Sequence, residues 1–200
     1  MLDEIKGLFS HEAQAIMNIP VTEAYTVALD AIYRSVHLNG GKVVVSGMGK
    51  AGQIAVGIAT TFSSTGTPAV WIHPADAQHG DLGIVCKNDI LLLISNSGKT
   101  REIVELVSLA KGLWAHVPVI VITGNPESEL AQQADVCIHT GNPAEVCSLG
   151  LSPTTSTTVM SAIGDALIVQ MMKRIGFDKP DYAKRHHGGY LGQKSRGETA

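Results

Sequence analysis

The 200-residue sequence has little of several features that mark particular classes of protein. Its three cysteines (Cys86, Cys137 and Cys147) form no Cys-x-x-Cys pair, which argues against a disulfide scaffold and a structural zinc site. The formal net charge is −3, whereas a nucleic-acid-binding protein would need a basic face. No apolar run is long enough to span a bilayer, and the acidic start (Asp3 and Glu4) is unlike a secretory signal. We therefore expect a soluble, cytoplasmic protein with no nucleic-acid or membrane partner.

Short apolar runs alternate with helical patterns from residue 42 onward. Five runs have the length and unbroken apolar character of strands buried on both faces. They occupy residues 43–46, 69–72, 90–94, 117–122 and 135–138. Helical patterns occupy about residues 50–65, 100–113, 126–133 and 154–174. This alternation predicts an α/β fold, a three-layer αβα sandwich around a five-stranded parallel sheet.

The length allows one domain with a substantial core, so we expect residues 1–200 to form a single domain. Its predicted parts are a helical arm (about 1–40), the αβα core (about 41–175) and a C-terminal active-site segment (about 176–195). Within the arm, an amphipathic helical pattern runs from Val21 to Val36. The tail beyond Gly192 is polar, and we expect it to be loose.

Three hydroxyl residues surround a glycine directly after the third predicted strand. Ser95, Ser97 and Thr100 offer hydroxyl donors, and Gly98 lets the backbone bend closely. The helical pattern that begins at Arg101 adds free backbone N–H groups. An ordinary helix N-cap requires only one hydroxyl. The combination therefore favours a phosphate-binding loop.

The first predicted strand is followed by a second glycine-rich turn, Gly47-Met48-Gly49-Lys50-Ala51-Gly52. GxGxxG alone suggests a dinucleotide site, which also requires an acidic residue at the end of the next strand. That strand instead ends Trp71-Ile72-His73-Pro74, without an acid. The Lys50 ammonium could bind an anion. We therefore interpret this turn as a second wall of a sugar-phosphate pocket rather than as the dinucleotide site of an oxidoreductase.

Unexplained polar residues lie in other loops that should meet at the same edge of the sheet. Glu145 stands in an irregular segment where neither periodicity nor capping accounts for it, and His79 is followed by Gly80-Asp81. Glu102 lies one turn into a predicted helix, where it could simply balance the positive helix end. A loop histidine such as His79 could equally be an exposed bystander.

Several sequence blocks together resemble the sugar isomerase (SIS) domain. More narrowly, they resemble the D-arabinose-5-phosphate isomerases of the 3-deoxy-D-manno-octulosonate (Kdo) pathway, in a short form. The blocks lie in family order over about residues 10–195. They are Gly47-Met48-Gly49-Lys50, Ser64-Thr65-Gly66-Thr67-Pro68, His79-Gly80-Asp81-Leu82-Gly83, Ile94-Ser95-Asn96-Ser97-Gly98, the stretch from Leu149 to Thr158, Gly164-Asp165-Ala166-Leu167 and the stretch from His186 to Gly192.

The resemblance implies reversible conversion of D-ribulose 5-phosphate to D-arabinose 5-phosphate, with no redox cofactor and no obligatory metal. The catalytic positions that it implies are Lys50, His79, Glu102, Glu145 and His186. The residues expected to bind the sugar and its phosphate are Ser46, Gly47, Gly49, Ser95, Asn96, Ser97, Gly98, Thr100, Thr154 and Thr155.

The residue types fit this chemistry. Aldose–ketose isomerisation moves a proton between adjacent carbons through an enediolate. It needs a carboxylate base, an acid–base partner for the oxygens and a cation near the developing oxyanion, which Glu, His and Lys supply. The sequence leaves open which glutamate moves the proton. We favour Glu145, because a loop position should leave its carboxylate free of pairing with a helix end.

Three features depart from the family pattern. Lys99 replaces the usual acid after Ser-x-Ser-Gly, and His187 replaces the usual proline after the late histidine. The family's usual CBS domains do not follow, so feedback would have to reach the active-site edge directly. Lys50 and Lys99, with the hydroxyl residues and the two late histidines, could hold a larger anion such as CMP-Kdo.

The resemblance also implies a homotetramer in which His186 serves a neighbouring subunit. The predicted helix over about residues 154–174 is apolar around much of its girth, including Ile168 and Met172, and so predicts cover from another chain. A non-catalytic, regulatory protein that binds a sugar phosphate or CMP-Kdo is the alternative function.

Overall fold

Five parallel strands form the centre of the fold in this computed structural model, which describes residues 1–197. The strands are β1 (Val43–Gly47), β2 (Ala69–Trp71), β3 (Ile90–Ile94), β4 (Val119–Thr123) and β5 (Val136–His139). Their order is β2-β1-β3-β4-β5, and every neighbouring pair is parallel. Because the side chains of β1 and β3 are buried on both faces, these strands consist of unbroken apolar or small residues.

Helices connect the strands and flank the sheet. They are α1 (Leu2–Met17), α2 (Ala24–Ile32), α3 (Gly49–Ser64), α4 (Pro74–Ala77), α5 (Arg101–Leu113), α6 (Glu129–Gln133), α7 (Thr155–Arg174), α8 (Lys179–Arg185) and α9 (Gly189–Ser195). A π-helical segment (Tyr33–Leu38) extends α2, and a 3₁₀ turn (Asp81–Ile84) follows α4. Among residues 1–197, no helix is long and apolar enough to cross a membrane.

Alternate side chains of the strands enter two separate apolar clusters. Val43 and Val45 of β1 pack in the cluster that contains the buried faces of α2, α3 and α7. Val44, between them, belongs to the opposite cluster, with α4, α5 and Leu130 of α6. This two-residue alternation of a strand between two faces yields a helix–sheet–helix sandwich. The predicted three-layer fold with five parallel strands is therefore confirmed.

The N-terminal edge of the sheet is held by a buried carboxylate. Asp89 is 1% exposed and lies just before β3. Its oxygens accept the backbone N–H of Lys42 at 2.9 Å, the Lys42 ammonium at 2.6 Å and the N–H of Cys86 at 2.7 Å. The beginnings of β1 and β3 are thus tied together at the edge opposite the strand ends that carry the polar loops.

The structure differs from the sequence expectations at several ends of elements. The helix expected from Val21 begins at Ala24, and the helices α4, α8 and α9 were not predicted. For α8 a signal existed, because the Asp178 side chain accepts the N–H of Asp181 at 2.9 Å as an N-cap and Pro180 occupies the first turn. The tail is helical to Ser195 rather than loose, and residues 198–200 lie outside the described part of the chain.

The expectation that α7 needs cover from another subunit was wrong for Ile168. That side chain is 3% exposed within a single chain, and Met172 is partly buried against the same apolar cluster. The reason is that α1, α2 and α3 all pack on α7. Exposed apolar side chains concentrate instead on α1, which has no fully buried residue.

Candidate active site

The strand order creates a crevice at the C-terminal edge of the sheet. From β1 the chain passes to β2 on one side and then to β3 on the other, so the loops after β1 and β3 diverge, as in other ligand-binding α/β sheets. A cavity of about 880 Å³ opens there. Its walls come from the ends of β1, β3 and β4, the segment after β5 and the first turn of α7.

The loop after β3 forms a tight turn at the cavity. The hydroxyl oxygen of Ser95, a residue that is 3% exposed, lies 3.0 Å from that of Thr100 and accepts the N–H of Gly98 at 3.2 Å. Gly98 has a φ of +62°, and a Cβ there would collide with Ser128. Ser95, Asn96, Ser97 and Thr100 line the cavity. The Ser95 and Thr100 hydroxyls thus meet beside the start of α5, and the Ser97 hydroxyl accepts the N–H of Lys99 at 3.2 Å, an arrangement that suits a phosphate-binding loop.

The turn after β1 contributes a cation but not all of its predicted residues. Lys50 lines the cavity, is exposed and has no ion pair within residues 1–197. Ser46 is buried and donates its hydroxyl to the carbonyl of Ile72 at 2.9 Å. A Cβ on Gly47 would lie 2.8 Å from the carbonyl oxygen of Ala51. Ser46 and Gly47 therefore stabilise the turn and do not line the cavity. Gly49 and Gly98 do not line it either.

Glu145 lines the cavity and also closes the start of α7. Its Oε2 atom accepts the N–H of Thr154 at 2.7 Å, the Thr154 hydroxyl at 2.9 Å and the N–H of Ser156 at 3.3 Å. The expectation that its carboxylate is free of a helix end was wrong, since the irregular loop folds back onto the first turn of α7. Burial opposes ionisation of Glu145, but the hydrogen bonds from Ser156 and Thr154 outweigh it and lower the pKa.

The first turn of α7 presents different hydroxyls from those predicted. Thr154 is bound to Glu145, and Thr155 is fully buried; neither lines the cavity, whereas Ser156 and Thr157 do. The helical turn explains this, because neighbouring side chains point in different directions around the axis.

Residues 38–170 match the SIS domain family. The chain belongs to the SIS domain family. Arabinose 5-phosphate isomerase KdsD from Salmonella typhi is 45% identical over 183 residues, 92% of this chain and 54% of that protein. Arabinose 5-phosphate isomerase KdsD from Escherichia coli (strain K12) is 51% identical over 154 residues, 77% of this chain and 46% of that protein. The chain thus spans about half the length of the curated relatives it matches.

Solved structures match this SIS domain over nearly its whole length. A phosphosugar isomerase candidate involved in capsule formation from Bacteroides fragilis NCTC 9343 superposes with a TM-score of 0.94 and 63% identity, covering 95% of this chain and 99% of that chain. The c3406 protein of E. coli CFT073, solved in complex with arabinose 5-phosphate, superposes with a TM-score of 0.86 and 34% identity, covering 92% of this chain and 96% of that chain. The family resemblance drawn from the sequence blocks is therefore confirmed.

Three predicted catalytic residues of the SIS domain do not line the cavity of the single chain. His79 is exposed beyond α4, and Glu102 is half-buried in the first turn of α5. The ring of His186 stacks on Tyr182 with centroids 3.6 Å apart, and its Nδ1 lies 3.0 Å from the Tyr182 carbonyl oxygen. Lys99 and His187 are exposed and also lie outside the cavity lining. One chain therefore brings together Lys50, Glu145 and the loop after β3, but neither histidine.

Four polar residues of the cavity wall were not predicted to bind a ligand: Asn125, Asn142, Ser156 and Thr157. Asparagines in turns are common for backbone reasons alone, so no sequence pattern singles them out. Within residues 1–197, no cluster of His, Cys, Asp and Glu side chains is arranged to hold a metal ion.

Proposed function

We propose that this SIS domain is an aldose–ketose isomerase that interconverts D-ribulose 5-phosphate and D-arabinose 5-phosphate for Kdo synthesis, serving lipopolysaccharide or capsule. The observation that carries the proposal is the meeting of a phosphate-binding loop, a carboxylate and an exposed lysine in one cavity. The relatives named arabinose 5-phosphate isomerase and the neighbour solved with arabinose 5-phosphate support this substrate class.

In the proposed mechanism, Ser95, Ser97 and Thr100 hold the phosphate and fix the sugar chain in the cavity. Glu145 is the base that takes the proton from C2 of the aldose and returns it to C1 of the enediolate. Its Oε2 is committed to the start of α7, while Oε1 has no hydrogen bond among the described residues. The lowered pKa keeps the carboxylate ionised. Lys50 stabilises the negative charge that develops on the enediolate oxygens.

The remaining catalytic roles require more than one chain in this proposal. His79 and His186 supply acid–base groups for the sugar oxygens in a neighbouring subunit's cavity, and Glu102 completes the carboxylate pair. A homotetramer provides such neighbours. The exposed apolar side chains of α1 support a subunit contact. They are Leu2, Ile5, Leu8, Phe9, Ile16 and Met17.

The proposal extends to location and regulation. We assign the chain to the cytoplasm as a single domain made of the arm, the core and the C-terminal segment. A cavity of about 880 Å³ lies near the upper end of the range for drug-sized ligands and has room for a ligand larger than a pentose phosphate. We propose CMP-Kdo as a feedback ligand, with Lys50 facing its anionic groups inside the cavity and Lys99, which lies outside the cavity lining, available only to a part of the ligand that projects from it.

A coupled assay with ribulose 5-phosphate, run also in deuterated buffer, tests the isomerase. We expect turnover with solvent deuterium incorporated at C2 of the arabinose 5-phosphate that forms, and a loss of turnover of about 10²- to 10⁴-fold in Glu145→Gln and Glu102→Gln with binding retained. Saturable binding without proton exchange would instead indicate a regulatory binding protein. Protection from thermal unfolding by NAD or NADP would favour an oxidoreductase.

A further inference from the structure

Two asparagine amides face the same small volume at the cavity wall. A Cβ built on Gly124 would lie 2.7 Å from Oδ1 of Asn96 and 3.0 Å from Oδ1 of Asn142. Gly124, Asn96 and Asn142 all line the cavity. The absence of a side chain at Gly124, just after β4, therefore leaves the space into which both amides project.

The two amides have no hydrogen-bond partner within residues 1–197, whereas the third asparagine of the cavity is engaged. Asn125 accepts the N–H of Glu127 at 3.2 Å through its side-chain oxygen, and its amide nitrogen donates to the carbonyl of Ser97 at 3.4 Å. Its amide therefore serves the loop. The Asn96 and Asn142 amides each keep donors and an acceptor for a ligand.

The backbone holds Asn142 in an unusual conformation. Its φ is +50°, the only positive value at a non-glycine residue among those described. Gly141 before it also has a positive φ, +83°, and the N–H of Asn142 donates to the Thr140 hydroxyl at 3.2 Å. Glycine is the residue that such a turn accepts at no steric cost. Asparagine tolerates the same conformation, so the turn assigns no role to the amide, and substitution by glycine removes the amide while the turn is kept.

Sugar hydroxyls suit this pair of amides. A hydroxyl donates one hydrogen bond and accepts others, and a side-chain amide offers both functions within one plane. Neither amide carries charge. Asn96 lies beside Ser97 in the loop after β3, and Asn142, which follows β5, projects toward the same space next to Gly124. The two amides are therefore placed to hydrogen-bond the uncharged, hydroxylated part of a ligand whose phosphate lies near Ser97.

We propose that Asn142, together with Asn96, binds hydroxyl groups of the sugar chain and is a specificity-determining residue of this site. The inference rests on the proposed function and adds a residue that recognises the sugar rather than the phosphate. Asn142 takes no part in proton transfer, so its loss weakens binding of the sugar and spares the chemical step.

Asn142→Gly tests this role, because glycine retains the left-handed turn and removes only the amide. We expect the KM for ribulose 5-phosphate to rise about three- to tenfold, as for the loss of one neutral hydrogen bond, with kcat changed less than about twofold. The inhibition constant of inorganic phosphate should stay unchanged, since phosphate occupies only the loop after β3. Asn39→Gly, which removes an exposed amide before β1 at the opposite edge of the sheet, is the control. Gly124→Ala, whose Cβ would meet both amide oxygens, should raise the same KM.

Calorimetry with arabinose 5-phosphate separates the possible failures. Equal affinities of the wild type and Asn142→Gly would overturn the inference and leave Asn142 as a turn residue. A parallel loss of inorganic phosphate binding would also overturn it, because the variant would then have deformed the loop. A wild-type protein that neither binds nor converts either pentose phosphate would contradict the proposed function itself, before any variant is compared.

Discussion

The Oε2 atom of Glu145 accepts the backbone N–H of Thr154 at 2.7 Å. One carboxylate therefore closes the N-terminus of α7 and lines the cavity. Free N–H groups and the helix dipole at this end favour negative charge, which is the physical reason that the hydrogen bonds outweigh burial and the pKa is lowered. Stability and the proposed catalysis are thus linked through the same group.

The first prediction concerns the pH dependence of this link. Because the pKa of Glu145 is lower in the folded chain than its ordinary value of 4.5, its contribution to stability is full above that value and is lost as pH falls through the lowered pKa. Glu145→Gln should reduce the free energy of unfolding at neutral pH by about 1 kcal/mol, typical of a lost N-cap. The unfolding temperatures of the two proteins should converge as the pH falls below 4.5 and the Glu145 carboxylate becomes protonated.

Glu23→Gln is the matched control for the pH experiment. Glu23 is exposed and precedes α2 without a side-chain capping bond, so its replacement should leave the melting temperature within about 1 °C at every pH. A melting-temperature difference for Glu145→Gln that widens on acidification would contradict the assigned charge state.

The second prediction compares two glycines that have the same backbone φ angle. Gly49 and Gly98 both have a φ of +62°, but a Cβ on Gly49 would meet open space and one on Gly98 would collide with Ser128. Gly49→Ala should cost about 1 kcal/mol, the left-handed penalty alone. Gly98→Ala should cost more and should also weaken binding of inorganic phosphate, because the loop must shift. Equal effects on stability and on phosphate binding would show that the contact with Ser128 is unimportant.

Much of the fold could be predicted because its determinants are local. The strand β3 was predicted with its observed bounds, because its five apolar residues are uninterrupted by a turn signal and are followed directly by the polar Ser95. The observed ends of the other four strands differ from the predicted ones by one or two residues. Hydrogen bonding to the neighbouring strand determines where a strand ends. The helices α4 and α9 are too short for periodicity to mark them.

The candidate site could be predicted only in part from the sequence. The loop after β3 follows from local residue types, and it lines the cavity as expected. The pairing of Glu145 with Thr154 joins residues across an irregular loop, and no periodic pattern encodes it. The convergence of Asn96 and Asn142 on Gly124 depends on the order of β3, β4 and β5 in the sheet. Such contacts follow from tertiary packing rather than from local sequence.

The third prediction concerns the ion pair between the buried Asp89 and the partly exposed Lys42 at the N-terminal edge of the sheet. Asp89→Ala leaves the N–H groups of Lys42 and Cys86, and the Lys42 ammonium, without their acceptor. The free energy of unfolding should fall by about 3 kcal/mol, as when one partner of a buried pair is removed. Denaturant titration measures the change. The partly exposed pair of Asp30 and Arg174 supplies the control, since Asp30→Ala should cost about 1 kcal/mol or less.

The last prediction concerns the residues that one chain does not bring together. Glu145 lines the cavity, whereas His186 is stacked on Tyr182 outside it. If each active site combines Glu145 of one subunit with His186 of another, chains carrying His186→Ala or Glu145→Gln are inactive alone. After denaturation and joint refolding at equal amounts, about a quarter of the sites should combine two intact residues, as random assortment in a symmetric oligomer requires. Turnover near that fraction of wild type supports shared sites. Continued inactivity of verified mixed oligomers, or a fully active monomer by light scattering, would refute them.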